Sequence, residues 1–214
     1  MISRLTFIID SEPRDGALNM AIDEVLLRTT PGPVLRTYKW ARSALSFGYF
    51  RKYEEVAKHW TQRELVRRWT GGGEVPHGLD WTYSLIIPKS DPASELAPRE
   101  SYAAIHECVR GALGISATLA TEGAGGRFCF TQPVESDVMM NDEKVAGSAQ
   151  RRTRHGLLHQ GTVIVLNLGI DFGKNVAANL ASKVKPGRIT EAILGEAMDL
   201  AASKYGTDAW LKRR

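Results

Sequence analysis

Arg67-Arg68-Trp69-Thr70-Gly71-Gly72-Gly73-Glu74-Val75-Pro76-His77 is the stretch on which the reading of this chain turns. Three consecutive glycines each cost backbone entropy in a helix or strand, so they suit a tight turn or a chain lying bare against a ligand. Paired arginines before the run and a histidine after it put polar chemistry on both sides. The Gly-Lys-Ser/Thr ending of a phosphate-binding P-loop is missing. A flexible hairpin tip is the plain alternative. With Arg68 and His77 flanking it, the run reads as a ligand loop whose backbone N–H groups approach a thin acyl group or a phosphate.

Outward from this loop, Leu65–Trp69 reads as a short strand feeding it, and Trp81–Pro88 as a strand ended by proline. Ala17, Met20, Ala21, Val25 and Leu27 offer an apolar helix face over Gly16–Arg28, as do Ile105, Cys108, Val109, Ala112 and Leu113 over Glu100–Leu113. Val34–Tyr38 and Ser43–Tyr49 read as strands around a polar turn, and Tyr53–Arg63 as a helix. Glu122–Arg127 is a glycine-rich loop. Strand signals return at Val138-Met139-Met140, with Asn141-Asp142 as a hairpin turn, and at Gly161–Leu166. The tail from about residue 172 to Tyr205 reads as helical, interrupted near Pro186-Gly187. This order predicts an α+β fold in a single domain over 1–214, an antiparallel or mixed sheet flanked by helices.

Composition narrows the class. The chain has 214 residues, 43% hydrophobic and 24% charged, which is ordinary for a globular domain. No apolar run approaches the roughly 20 residues of a membrane span, and the first residues lack a signal-peptide pattern, so the expectation is a cytoplasmic protein without a membrane partner. Two cysteines are too few for a disulfide framework, and no Cys/His cluster proposes a metal. The net charge of +4 suits an acidic protein partner as well as nucleic acid. Without a nucleic-acid-binding motif or an aromatic-interleaved basic tract, no nucleic-acid partner is expected.

A second segment, Lys144-Val145-Ala146-Gly147-Ser148-Ala149-Gln150, precedes His159-Gln160-Gly161-Thr162. Together with Arg67–His77 these resemble the family of lipoate-protein ligases, octanoyltransferases and biotin-protein ligases. Its lipoyl branch reads Arg-Arg-x-Ser/Thr-Gly-Gly-Gly-x-Val-x-His, then Lys-Val/Ile-Ala/Ser-Gly-Ser-Ala-Gln, then His-x-Gly-Thr. Asn19-Met20-Ala21-Ile22-Asp23-Glu24, Leu35-Arg36-Thr37-Tyr38-Lys39-Trp40 and Ser46-Phe47-Gly48-Tyr49 add to the resemblance, which runs in order from about Gly16 to Val165. It implies a biotin/lipoate-ligase-like catalytic fold. The lipoyl-type arginine-glycine pattern speaks against biotin as substrate. Arg68, Thr70, Gly71, Gly72, Gly73, His77, Tyr83, Gly147, Ser148, Ala149, His159 and Gly161 are the substrate-binding residues this implies.

Lys144 follows a turn and opens a strand of small residues. Alone it reads as a solvated strand lysine; in the resembling family the equivalent lysine meets the reacting carbonyl. Cys129 points to the subtype. Cys129-Phe130-Thr131-Gln132-Pro133 is similar to the Cys-Phe-x-x-Pro of cysteine-dependent octanoyltransferases, about fifteen residues before that lysine. A thiol is the right nucleophile for a thioester donor. A buried inert cysteine is the alternative, which Cys108 fits well. Gly78-Leu79-Asp80-Trp81-Thr82-Tyr83-Ser84 is nearer the transferase Leu-Thr-Tyr-Ser than the ligase Gly-Asn-x-Asn.

The expected reaction is therefore acyl transfer through Cys129, with Lys144 stabilising the oxyanion and backbone N–H groups near Gly147 or His159 assisting. The expected donor is octanoyl-acyl carrier protein. The expected acceptor is a lipoyl domain of a 2-oxoacid dehydrogenase or the glycine cleavage H protein, and no cofactor is needed. The alternatives are an ATP- and Mg²⁺-dependent lipoate-protein ligase acting through a lipoyl-adenylate, and a non-catalytic acyl-binding module. Two further expectations concern charge: Glu74 beside the pocket could pair with Arg68 or alter substrate preference, and Arg151-Arg152-Thr153-Arg154, commonly a solvated hairpin, could dock an acidic acyl carrier or lipoyl domain.

Overall fold

The structure, a computed structural model, describes residues 2–121, 133–165, 168–169 and 171–213. In chain order its elements begin with β1 (Leu5–Arg14), α1 (Gly16–Thr29), β2 (Val34–Trp40), β3 (Ala44–Phe47), α2 (Tyr53–His59), β4 (Glu64–Arg67), β5 (Glu74–His77) and β6 (Trp81–Pro88). There follow α3 (Pro98–Leu113), β7 (Ala117–Leu119), β8 (Val138–Met140), β9 (Glu143–Thr153) and β10 (Gly156–Val163). The chain closes with α4 (Phe172–Leu180), β11 (Val184–Gly187), α5 (Glu191–Leu200) and α6 (Asp208–Leu211).

An eight-stranded mixed sheet runs β11-β1-β2-β6-β10-β9-β8-β7, and a small sheet runs β4-β3-β5. The class is the α+β arrangement of a mixed sheet flanked by helices that the sequence predicts. One face of the large sheet carries α3 and α4, packing Ile105, Val109, Val176 and Leu180 on Leu85, Leu157 and Val163. The other carries α1 and α5, packing Met20, Val25, Leu26 and Ala197 on Tyr38, Ile86 and Leu158. Covered on both sides, β10 is buried at every position and β6 at every position but Trp81, although both strands carry polar residues. Each fully buried Leu or Ile contributes about 1.5–3 kcal/mol.

Ion pairs lock α1 in place. Asp15 caps it, its carboxylate accepting from the Leu18 amide at 2.8 Å. Arg36 of β2 is fully buried and donates to Asp10 (2.7 Å), Asp23 (2.8 Å) and the Asn19 side chain (2.7 Å). These partners satisfy a charge that would otherwise be costly to bury. They give Asn19, Asp23 and Arg36, all in segments that carry the resemblance, a common structural task.

Several element boundaries differ from expectation. α2 ends at His59, followed by a turn that leads into β4. β10 begins at Gly156, five residues before the predicted start, and pairs with β6 and β9 over its whole length. The interruption expected near Pro186-Gly187 is β11, which adds to β1 in parallel. Asn141 and Asp142 form the predicted hairpin turn, both with positive φ (51° and 63°). The glycine-rich loop expected at Glu122–Arg127, Cys129 and the strand end at Leu166 lie outside the described residues.

Candidate active site

Alternation at the end of β4 separates the paired arginines, Arg67 on the strand and Arg68 just beyond it. Arg67 turns to the Phe47 face, where it donates to the carbonyls of Tyr49 (2.9 Å), Arg51 (2.7 Å), Leu211 (3.0 Å) and Arg213 (2.9 Å). It therefore clamps the C-terminal segment. Arg68 turns to the Ser46 face and donates to Ser46 Oγ (2.7 Å) and to the carbonyls of Gly71 (3.0 Å) and Gly73 (2.9 Å). Glu74 pairs with Phe47 across the small sheet and so lies on the Arg67 face. Its carboxylate accepts from Arg51 (2.9 Å) and Trp60 (2.8 Å), which corrects the expected partnership with Arg68.

The glycine loop crosses β3 at Gly48. A Cβ at Gly48 would stand 2.0 Å from the Gly72 carbonyl oxygen, so only glycine permits this crossing. Thr70 anchors the loop from below: its hydroxyl donates to Gln160 Oε1 (2.8 Å), and Gln160 Nε2 donates to Asp23 (2.8 Å).

Beneath the loop is a narrow cleft. Its roof includes Ser46, Arg68, Gly72, Gly73, Val75 and His77, and Met20 of α1 closes one side. The floor is a row across four strands, Tyr38, Thr82, Thr162 and Gly147, in direct register. With strands about 4.8 Å apart, that row spans about 14 Å, making the cavity a slot rather than a bowl.

Lys144 stands at the Gly147 end. Its Nζ lies 2.7 Å from Asp137 Oδ2. Asp137 is fully buried and also accepts from Tyr102 (2.6 Å) and the Val134 amide (2.7 Å). Gly147 makes room for the ammonium: a Cβ there would stand 2.8 Å from Nζ.

At the other end His77 stacks on Trp40, ring centroids 4.1 Å apart. Its Nε2 meets Ser46 Oγ at 2.6 Å and its Nδ1 meets Asp80 at 2.8 Å. Burial pushes the His77 imidazole below its ordinary value despite the nearby Asp80 charge. Burial pushes the Asp80 carboxyl up, but hydrogen bonds from His77, Thr162 and Thr82 prevail and hold it well below the usual carboxylate range.

Of the expected site residues, Arg68, Gly72, Gly73, His77, Lys144, Gly147, Ser148, Ala149 and Gly161 line the slot. Thr70 acts through Gln160, and Gly71 through its carbonyl to Arg68. Tyr83 and His159 turn to the α3 face, where they meet each other at 3.2 Å. Strand pairing explains this: Thr82 and Thr162 face the slot, so Tyr83 faces away. Ser148 likewise sends its hydroxyl to His106 of α3, at 2.7 Å. Cys129 cannot be placed, lying outside the described residues. Reading the sequence missed Ser46, Asp80, Asp137, Gln160 and the slot's Met20, Tyr38 and Thr162. All of these but Asp137 stand inside the segments quoted above, which is the signal that marks them.

The site is a roofed slot on a mixed sheet with a buried lysine–aspartate pair at one end. Residues 15–189 match the lipoyl protein ligase A/B catalytic domain, and the chain belongs to that family. It is similar to octanoyltransferase LipM of Oceanobacillus iheyensis, 35% identical over 171 residues that cover 72% of this chain and 62% of the relative. The chain thus spans less than two thirds of that relative in the match. The octanoyltransferase LipM of Brevibacillus brevis is 28% identical over 96% of this chain and 98% of its own. Among solved structures, lipoate-protein ligase A bound with ATP superposes with a TM-score of 0.77 at 22% identity, covering 99% of both chains. A bi-partite lipoate protein ligase of Thermoplasma acidophilum, studied with its E2 lipoyl domain, gives 0.75 at 20% identity, covering 98% of this chain and 96% of its own. These likenesses extend the fold assignment to nearly the whole chain.

Proposed function

We propose that this protein is an acyltransferase of protein lipoylation, moving an octanoyl or lipoyl group from a thioester donor to the lysine of a lipoyl domain. The observation that carries the reading is Lys144, held by Asp137 where the narrow slot meets Gly147. A long acyl chain would lie along the floor, with its carbonyl oxygen toward the ammonium. The octanoyltransferase relatives favour octanoyl transfer without ATP.

In this reading the Cys129 thiolate adds to the donor carbonyl, and Lys144 stabilises the oxyanion. Collapse expels the donor thiolate and leaves an acyl-cysteine. The neutral amine of the acceptor lysine then adds to that thioester, Cys129 leaves as thiolate, and the amine proton is lost to solvent. One thioester is exchanged for another and then for an amide, so no nucleotide is needed. Octanoyl-acyl carrier protein as donor, and lipoyl domains or the glycine cleavage H protein as acceptors, are the partners this reading proposes.

The test is transfer to a purified lipoyl domain, followed by mass. Octanoylation from octanoyl-acyl carrier protein in the absence of ATP supports the reading. Modification only with free acid, ATP and Mg²⁺ replaces it with the ligase.

A further inference from the structure

Arg68, Ser46, His77 and Asp80 form a hydrogen-bonded wire whose direction is fixed by its ends. A guanidinium only donates and a carboxylate only accepts. Arg68 Nη1 donates to Ser46 Oγ (2.7 Å), so the serine proton goes to His77 Nε2 (2.6 Å) and His77 Nδ1–H goes to Asp80 (2.8 Å). The Ser-His-Asp order suggests a hydrolase triad. Ser46, however, is fully buried, and its oxygen already receives a guanidinium N–H. The serine is a middle link, not a free nucleophile.

The two ends of the wire reach different parts of the site. Arg68 holds the carbonyls of Gly71 and Gly73 in the roof. Asp80 accepts from the floor, from Thr82 of β6 (2.6 Å) and Thr162 of β10, and from the Gly78 amide (2.9 Å). Thr82 in turn receives the Trp40 indole N–H at 2.9 Å. The polar groups of this wall thus satisfy one another and leave the slot an apolar surface.

The geometry points to Ser46, His77 and Asp80 as positioning residues that act through Arg68 to hold the glycine loop at a fixed height above the floor, and so set the fit of the acyl chain. This rests on the acyl-slot reading above. Directionality makes the unit sensitive to charge at Asp80. An asparagine there keeps the shape but offers an N–H, which favours the other histidine tautomer. His77 Nε2–H would then face Ser46, whose own proton loses its acceptor.

The experiment is a double-mutant cycle of Ser46→Ala and Asp80→Asn, read by calorimetric binding of octanoic acid and by amide exchange at 70–74. Each variant is expected to bind about tenfold more weakly, the loss of one charge-assisted link. The pair should lose about the same, not about a hundredfold, because one broken link frees the whole wire. Exchange should quicken at Gly71–Gly73 and stay slow in α3. If Asp80→Asn does not fold, His77→Gln takes its place in the cycle. Additive losses, wild-type affinity in Ser46→Ala, or labelling of Ser46 by a fluorophosphonate would overturn the inference. Wild-type protein that binds octanoic acid but transfers nothing would sink the transferase reading and leave this one standing.

Discussion

Lys144 and Asp137 form an ion pair of 2.7 Å in which the carboxylate is fully buried and the lysine side chain only 6% exposed. Removing one partner of such a pair leaves an uncompensated charge, at a cost of about 3–5 kcal/mol. Asp137→Ala should therefore lower the denaturation midpoint markedly, whereas Lys144→Met combined with Asp137→Leu should recover most of the stability. Transfer should not recover, because in the proposed mechanism the cation itself stabilises the reacting carbonyl. A double variant that folds and transfers octanoyl groups would contradict this.

Gly147→Ala separates stability from chemistry. The new methyl would meet the flexible end of Lys144, which can rotate aside without leaving the Asp137 carboxylate. Stability should change by less than about 1 kcal/mol while transfer falls at least about tenfold. Equal stability with unchanged transfer would show that the position of the ammonium does not matter.

Arg67 links four backbone carbonyls from two segments of the chain. Arg67→Met should free the C-terminal segment, costing about 2–4 kcal/mol and exposing the bonds after Lys212 and Arg213 to trypsin. Arg67→Lys should rescue only part, since an ammonium lacks the planar fork. A proteolysis pattern like that of the wild type would refute the clamp.

Acid should destabilise the fold through three buried neutral histidines. Burial pushes His106 down to about 4, His159 well below its ordinary 6.5, and His77 below it as well. The unfolded chain binds these protons first, so stability is complete above about pH 6.5 and falls as the pH drops toward 4. Each histidine contributes about 1.4 kcal/mol per pH unit while its unfolded form is protonated and its folded form is not. Urea midpoints at pH 7.5, 6 and 5 should fall progressively. A flat series would contradict the neutral, buried assignment.

Much of the fold was legible. Trp81–Pro88 has the bounds predicted from its alternation and closing proline, and Asn141-Asp142 forms the hairpin turn its residue types favour. The start of β10 was missed because Leu157 and Leu158 are buried on opposite faces, which erases the period-two signal. The family segments located the loop and Lys144, but not which way side chains point. Tyr83 and His159 were read into the pocket, and strand pairing sends them to the other face, since adjacent strand positions alternate. Ser46 and His77 are 31 positions apart, and Asp137 belongs to a turn outside the quoted lysine segment. Contacts of that kind arise only once distant strands pair, β3 with β5 and β8 with β9.

The most direct test of the central claim is the intact mass of the purified protein after incubation with octanoyl-acyl carrier protein and no ATP. The account predicts an octanoyl adduct that maps to Cys129, is lost on adding a lipoyl domain, and does not form in Cys129→Ser. No adduct, with lipoyl-domain modification appearing only when ATP, Mg²⁺ and free acid are supplied, would contradict it.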